Sequence, residues 1–190
     1  MSEQVDWKKI VKKMRAGDDQ ATTLFVELTQ DPLYKFCYYL TNNQQLAEDI
    51  CHDTLIKGIT KIDTIKNPEQ ILAWLKQIAR RQFLDFVKSA SQSKVHMDID
   101  EMNSGPSELS SGENRNDDQI TAMEALQSLD ADDRMLVILV DIEGYSFSEA
   151  SQIAEIPEGT AKSRVFRARK KMLDFIGTER EPNSSTVRKV

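Results

Sequence analysis

Two cysteines, two histidines and seven glycines in 190 residues exclude several kinds of protein at once. Cys37 and Cys51 are too few for a disulfide framework, which points to a reducing interior. With His52 and His96 they are the only soft or imidazole ligands, and no Cys-x-x-Cys or His-x-x-x-His spacing occurs, so no metal site is expected. Cys51 reads as a small buried apolar residue before it reads as a redox sensor. No apolar run approaches the roughly 18 residues that would span a bilayer, and no signal-peptide pattern is present. A cytoplasmic protein without membrane insertion is the expectation. A glycine-rich phosphate loop, a nucleophile elbow and a catalytic triad are also missing. The chain is therefore read as a non-enzyme with no cofactor and no small-molecule substrate.

What is present is charge, unevenly placed. The net charge is −6. Residues 1–90 hold 13 basic and 12 acidic side chains, residues 91–118 hold 2 and 7, and residues 119–190 hold 10 and 12. Within the last third, Lys162 to Lys171 contains six Lys or Arg and no acid. The local field decides phosphate contact, so the overall acidity does not argue against a nucleic-acid partner.

Scarce glycine and long stretches of 3–4 apolar spacing predict an all-α chain. Helices are expected over 4–15, 19–29, 33–41, 44–60 and 69–89, with Pro32 interrupting the second because proline lacks the N–H of the helical ladder. Residues 61–67 read as a loop, and Pro68 suits a first helical turn. Residues 90–118 turn to Ser, Asn, Gly and acids, too polar to offset chain entropy, and too long for a tight connection. Further helices are expected over 119–128, 132–143, 146–153 and 158–175, with Asp130 and Ser146 as N-caps and Gly144 as a C-cap. The organisation predicted is two small helical domains, 1–90 and 119–176, a flexible acidic linker over 91–118, and a disordered tail over 177–190.

The stretch SFSEASQIAEIPEGTAKSRVFRARKKML (146–173) reads as helix, tight turn and cationic helix, the arrangement that places side chains in a major groove. Ala161, Val165, Ala168 and Met172 form the seam, leaving Lys162, Ser163, Phe166, Arg167 and Lys170 facing away. A solvated cationic surface helix is the bland alternative. The preceding capped helix, the turn and Pro157 weigh against it.

The segment LDADDRMLVILVDIEGYSFSEASQIAEIPEGTAKSRVFRARKKM closely resembles region 4 of bacterial sigma factors, above all the extracytoplasmic-function (ECF) group. Glu143, Gly144, Ser146, Glu149, Ile156, Pro157, Gly159, Thr160, Lys162, Ser163 and Arg164 carry the match. Ala150-Ser151 stands where the family usually has Ile-Ala. Glu155 stands where glycine is common, and a left-handed Glu costs roughly 1 kcal/mol or more. The resemblance implies that this domain reads the −35 element as duplex DNA through Thr160, Lys162, Ser163, Arg164, Phe166, Arg167 and Lys170.

Residues 44–60 and 68–89 resemble sigma region 2. The acidic helix Ala47–Leu55 implies docking on RNA polymerase core enzyme through Glu48, Asp49, Asp53 and Thr54, where carboxylates give orientation and on-rate. The stretch 73–88 resembles the −10 recognition helix, with Arg81 where the family usually has Asn. Lys66, Asn67, Trp74, Lys76, Arg80, Arg81 and Lys88 are the implied contacts to the melted −10 strand, cations tracking the backbone and rings taking unstacked bases. Trp74 on an apolar helix face is more readily read as core. The resemblance further implies an anti-sigma partner, and a linker that threads along the polymerase. Two other readings stay open: a stand-alone helix-turn-helix regulator of duplex operators, and a sigma-like protein that sequesters a regulator.

Overall fold

The structure is a computed structural model that describes residues 5–96 and 117–179. Among the described residues there are helices and turns and no strand. The chain divides into two compact units, the first ending at Glu108 and the second beginning at Leu109.

In the first unit, α1 (Trp7–Arg15) starts at Asp6, whose carboxylate accepts from the Lys9 N–H at 2.9 Å. It buries Ile10, Val11 and Met14 and leaves its lysines in water. Gly17, at φ +80°, lets the chain leave the helix in a conformation that costs other residues strain. The next helix, α2, runs unbroken over Asp19–Thr41 with Pro32 inside it, where the sequence predicted an interruption. Phe25, Thr29, Leu33 and Phe36 are all fully buried on both sides of the proline. Packing therefore holds both halves in line against the roughly 3 kcal/mol that an internal proline costs.

Asn42 in the left-handed region and Asn43 as N-cap turn the chain into α3 (Gln44–Thr60). A short 3₁₀ turn at Ile62–Thr64 and another at Pro68–Gln70 follow, then α4 (Ile71–His96). The last helix extends beyond the predicted end at 89, so residues 91–96 are helical and not linker. α2, α3 and α4 pack mutually, and α1 lies on α2 and on the two short turns. Gly58 lets α3 lie close against α4: a Cβ there would stand 2.7 Å from Leu75 Cδ2.

In the second unit α5 (Asp117–Gln127) leads to α6 (Ala131–Val137), capped by Asp130 accepting from the Asp133 N–H at 3.0 Å. Arg134 Nη2 donates to the carbonyls of Gln127 and Leu129, at 2.9 and 3.0 Å, and ties the α5–α6 turn. The end of α6 widens into a π-type turn at Ile138–Ile142, where the Glu143 N–H reaches back five residues to the Ile138 carbonyl. Gly144 (φ +76°) closes it. α7 (Phe147–Ala154) and α8 (Glu158–Glu179) complete the unit. Its core is Leu126, Leu129, Met135, Leu136, Ile138, Leu139 and Ile153, with alanines at 150, 154, 161 and 168 that let α7 and α8 approach closely. α8 continues to Glu179, past the predicted 175. The remaining linker residues, 97–116, and tail residues, 180–190, lie outside the described residues.

Candidate nucleic-acid interface

In the second unit the helix-turn-helix is built by local chemistry. The Ser146 hydroxyl accepts from the Glu149 N–H at 3.2 Å, and Glu149 Oε2 accepts from the Ser146 N–H at 2.9 Å and from its hydroxyl at 2.7 Å. Both donors at the start of α7 are thus satisfied by one pair. Those bonds, the side-chain one first, hold the Glu149 carboxyl below its ordinary value. Glu155 ends α7 in the left-handed region, at φ 56° and ψ 43°, despite the cost of that conformation to a residue other than glycine. Its N–H and that of Ile156 return to the carbonyls of Gln152 and Ser151.

α8 buries Ala161, Val165 and Ala168 completely, which fixes its rotation. Thr160, Lys162, Ser163, Phe166, Arg167 and Lys170 then all face solvent, and Phe166 is 72% exposed. A phenyl ring held in water on a cationic helix has no stabilising role in the isolated fold. Lys162 pairs with Glu158 at 2.6 Å along the surface, and the Ser163 hydroxyl donates to the Thr160 carbonyl at 3.0 Å.

Arg164 departs from the sequence expectation. Its Nε donates to Asp133 Oδ1 at 2.5 Å, its Nη2 lies 3.3 Å from Asp130 Oδ1, and its Nη1 lies 3.7 Å from Asp132. Burial opposes its charge, but the Asp133 hydrogen bond and the three carboxylates outweigh that and raise its pKa. It joins α8 to the start of α6 and is not a side chain free to read DNA. Arg169 is similarly held in a bidentate pair with Asp141. The cationic window therefore divides into cations that fasten the helix, Arg164 and Arg169, and cations that face outward, Lys162, Arg167, Lys170 and Lys171. Lys171 was missed by the sequence reading. Its signal was its spacing of four from Arg167, which places both beside the Asp130–Arg164 cluster.

In the first unit, Glu48, Asp49 and Asp53 line the exposed face of α3. Thr54 does not join them: it is fully buried and its hydroxyl accepts from Gln82 Nε2 at 2.6 Å. Gln82 Oε1 in turn accepts from Lys57 Nζ at 2.8 Å, so Gln82 spans α3 and α4. The exposed place on this face belongs to Ile56, 51% exposed, three residues beyond Asp53. Helical spacing sets Ile56 on the acidic side of α3, away from buried Ile50 and Leu55, a signal the sequence reading did not use.

On α4, Arg81 and Lys88 are exposed and Trp74 and Arg80 half-buried. Lys76 is only 3% exposed, with its ammonium 5.6 Å from the Phe36 ring centre, so it supports the core and is withdrawn from the strand-contacting set. Phe86 is 47% exposed and adds an aromatic surface to this helix. The loop between α3 and α4 is anchored by buried Ile62 and Ile65 and presents Lys66 and Asn67 to solvent. Asn67 also caps the following turn, its Oδ1 accepting from the Glu69 N–H at 3.3 Å.

Both cysteines are buried, and burial first, with Asp31 adding to it, pushes the Cys51 thiol up to about 11. A protonated buried thiol is the small apolar residue expected. No cluster of metal-ligating side chains occurs among the described residues, and no described helix is long and apolar enough to cross a membrane.

Two family models match. Sigma-70 region 2 covers residues 25–93 and Sigma-70 region 4 covers residues 120–172. Among curated proteins, the ECF RNA polymerase sigma factor SigE of Mycolicibacterium smegmatis is 30% identical over 166 residues, spanning 84% of this chain and 64% of that protein. The ECF RNA polymerase sigma factor SigW of Bacillus subtilis is 26% identical over 175 residues, 85% of this chain and 92% of that protein. Among solved structures, the sigma factor RpoE from Bartonella quintana, in complex with the anti-sigma factor NepR, has a TM-score of 0.65. It is 28% identical and covers 83% of this chain and 98% of its own. CnrH, 17% identical with a TM-score of 0.65 over 90% of this chain, shares the fold. With region 2 and region 4 both matched, and in that order, the chain belongs to the sigma-70 family of RNA polymerase sigma factors, in its ECF group.

Proposed function

We propose that the chain brings RNA polymerase core enzyme to promoters with a duplex −35 element and a −10 element that it helps to open. One observation carries this reading. A recognition helix with outward-facing Phe166, Arg167 and Lys170 shares a chain with the first unit, whose α3 presents Glu48, Asp49 and Asp53 around Ile56. A stand-alone binder of duplex operators has no use for that second surface. Acidic residues around an apolar side chain are what docking on a basic protein surface requires.

In this reading Phe166 and Arg167 meet base edges, while Lys170, Lys162 and the Thr160 and Ser163 hydroxyls meet the backbone. The first unit takes the melted −10 strand along Arg80, Arg81 and Lys88, with Trp74 and Phe86 as apolar platforms and Lys66 and Asn67 at a flipped base. The protein contributes recognition and strand capture, and bond formation stays with the polymerase. It works where polymerase and the nucleoid are, in the cytoplasm. The resemblance to a sigma factor solved with an anti-sigma factor supports a partner of that kind, covering the α3 face and α8 until a signal releases them.

The test is run-off transcription with purified core polymerase, this protein and a pool of genomic promoter fragments, with transcript starts sequenced. Discrete starts preceded by a shared −35/−10 pair are expected. Duplex binding without polymerase and without specific starts would transfer the chain to the operator-binding class.

A further inference from the structure

The loop between α3 and α4 makes few hydrogen bonds of its own. Thr64 N–H reaches the Lys61 carbonyl at 2.9 Å and Ile65 N–H the Ile62 carbonyl at 3.4 Å. Besides the burial of Ile62 and Ile65 and the Thr64 hydroxyl bond to the Lys61 carbonyl at 2.8 Å, it is held by a residue about fifty positions earlier. Arg15, in the last turn of α1, directs one guanidinium nitrogen, Nη2, at three loop carbonyls: Ile62 at 3.2 Å, Asp63 at 3.3 Å and Ile65 at 2.9 Å. Three convergent carbonyl oxygens form a concentration of negative potential that a cation relieves and water relieves less well. Arg15 Nε also lies 3.6 Å from Asp63 Oδ1, but the Asp63 side chain is 80% exposed, so that contact contributes little. The shortest of the carbonyl bonds falls on Ile65, the residue immediately before Lys66 and Asn67.

We infer that Arg15 is a positioning residue for reading the −10 element: by gathering the Ile62, Asp63 and Ile65 carbonyls it holds the 61–67 loop in the shape that presents Lys66 and Asn67. The inference rests on the reading of this loop as the site that takes a flipped −10 base. Its physical content is preorganisation. A loop already held by a cation loses less freedom when a base enters it, and that saving appears as discrimination between a base and its absence. Arg15 itself touches no nucleotide in this account.

The experiment uses holoenzyme reconstituted from core polymerase and the full chain. The probes are a single-stranded oligonucleotide carrying the −10 sequence from a mapped start and the same oligonucleotide with the captured base removed. Wild-type holoenzyme is expected to favour the intact strand about tenfold, the scale of one well-stacked base. Arg15→Ala should bring that ratio close to one while affinity for the abasic strand stays within about twofold. Arg15→Lys, which returns a cation to the three carbonyls, should keep most of the ratio. An Arg15→Ala holoenzyme with an undiminished ratio overturns the inference. So does one that loses both affinities equally, since that is a folding effect; Arg15→Gln, shorter than arginine but keeping its first methylenes and an NH2 donor, guards against an alanine variant that fails to fold. A wild-type ratio near one would instead sink the −10 reading of the loop, and this inference with it.

Discussion

Arg164 Nε and Asp133 Oδ1 stand 2.5 Å apart, and this contact fastens the recognition helix to the first turn of α6. Asp133 is 6% exposed, so removing the arginine strands a carboxylate in a poor dielectric. Arg164→Ala should destabilise the second unit by about 2–3 kcal/mol, with Asp133→Asn largely non-additive to it in a double-mutant cycle. At temperatures where the variant is folded, promoter affinity should fall by a similar factor for every −35 sequence. A selective loss at one base pair would return Arg164 to the base-reading set.

Phe166 makes the opposite prediction. Its ring is in water, so Phe166→Ala should change stability by less than about 0.5 kcal/mol. Transcription from a mapped start should nonetheless drop about tenfold or more, since an aromatic anchor at a nucleic-acid interface is worth one to a few kcal/mol. Thermal melting beside run-off transcription separates the two.

Ile56 is the test of the polymerase-facing surface. Ile56→Asp leaves the core untouched and should weaken association with core polymerase by about tenfold or more. Binding of −10 single strands by the assembled holoenzyme should be unaffected at saturating core. Unchanged affinity in a fluorescence titration against core enzyme would move the interface elsewhere on the first unit.

The capping box gives the second unit an acid-side sensitivity. Glu149 and Asp130 both have carboxyls lowered from their ordinary values of 4.5 and 3.8, Glu149 by its bonds with Ser146. For Asp130 burial works the other way, but the Asp133 N–H and the nearby Arg164 and Lys171 prevail. Groups lowered on folding stabilise above their unfolded values and lose that contribution as pH falls through the folded ones. Protection of the α7 and α8 amides from hydrogen exchange should therefore decline between about pH 5 and about pH 3. Glu149→Gln should be less protected at neutral pH and show a shallower decline.

Glu155 occupies a left-handed backbone position that glycine adopts without cost. Glu155→Gly should stabilise the second unit by up to about 1 kcal/mol, offset in part by the loss of the side chain's own interactions. A lower stability by chemical denaturation would mean that those interactions exceed the backbone strain.

Much of this was legible in the residues. Ser146 with Glu149, Asp130, Gly144 and the Ala161–Val165–Ala168 seam are local signals, and the structure places each where spacing put it. The departures share a different origin. Pro32 was read as a break because propensity is local, whereas the burial that carries α2 through it comes from α3 and α4. Lys76, Thr54 and Arg164 were assigned to surfaces by residue type and motif position. What removed them was a partner distant in sequence: Phe36 for Lys76, Gln82 for Thr54 and Asp133 for Arg164. Arg15 escaped for the same reason, since nothing near it in the chain points to Ile65. A motif gives the outward face of a helix, and tertiary contacts decide which of its charges are already committed.

Gly58 carries a consequence for how this fold can change over generations. A methyl at that position would lie 2.7 Å from Leu75, 3.6 Å from Phe25 and 3.7 Å from Trp74. A descendant that acquires alanine at 58 must therefore shrink or re-orient the side chain at 75, so drift at one position is felt at the other. Because Trp74 adjoins the same contact, such a repacking also reaches a ring proposed above for the melted strand. A packing substitution on α3 is thus one inherited route by which promoter preference can shift without any change in a DNA-contacting residue.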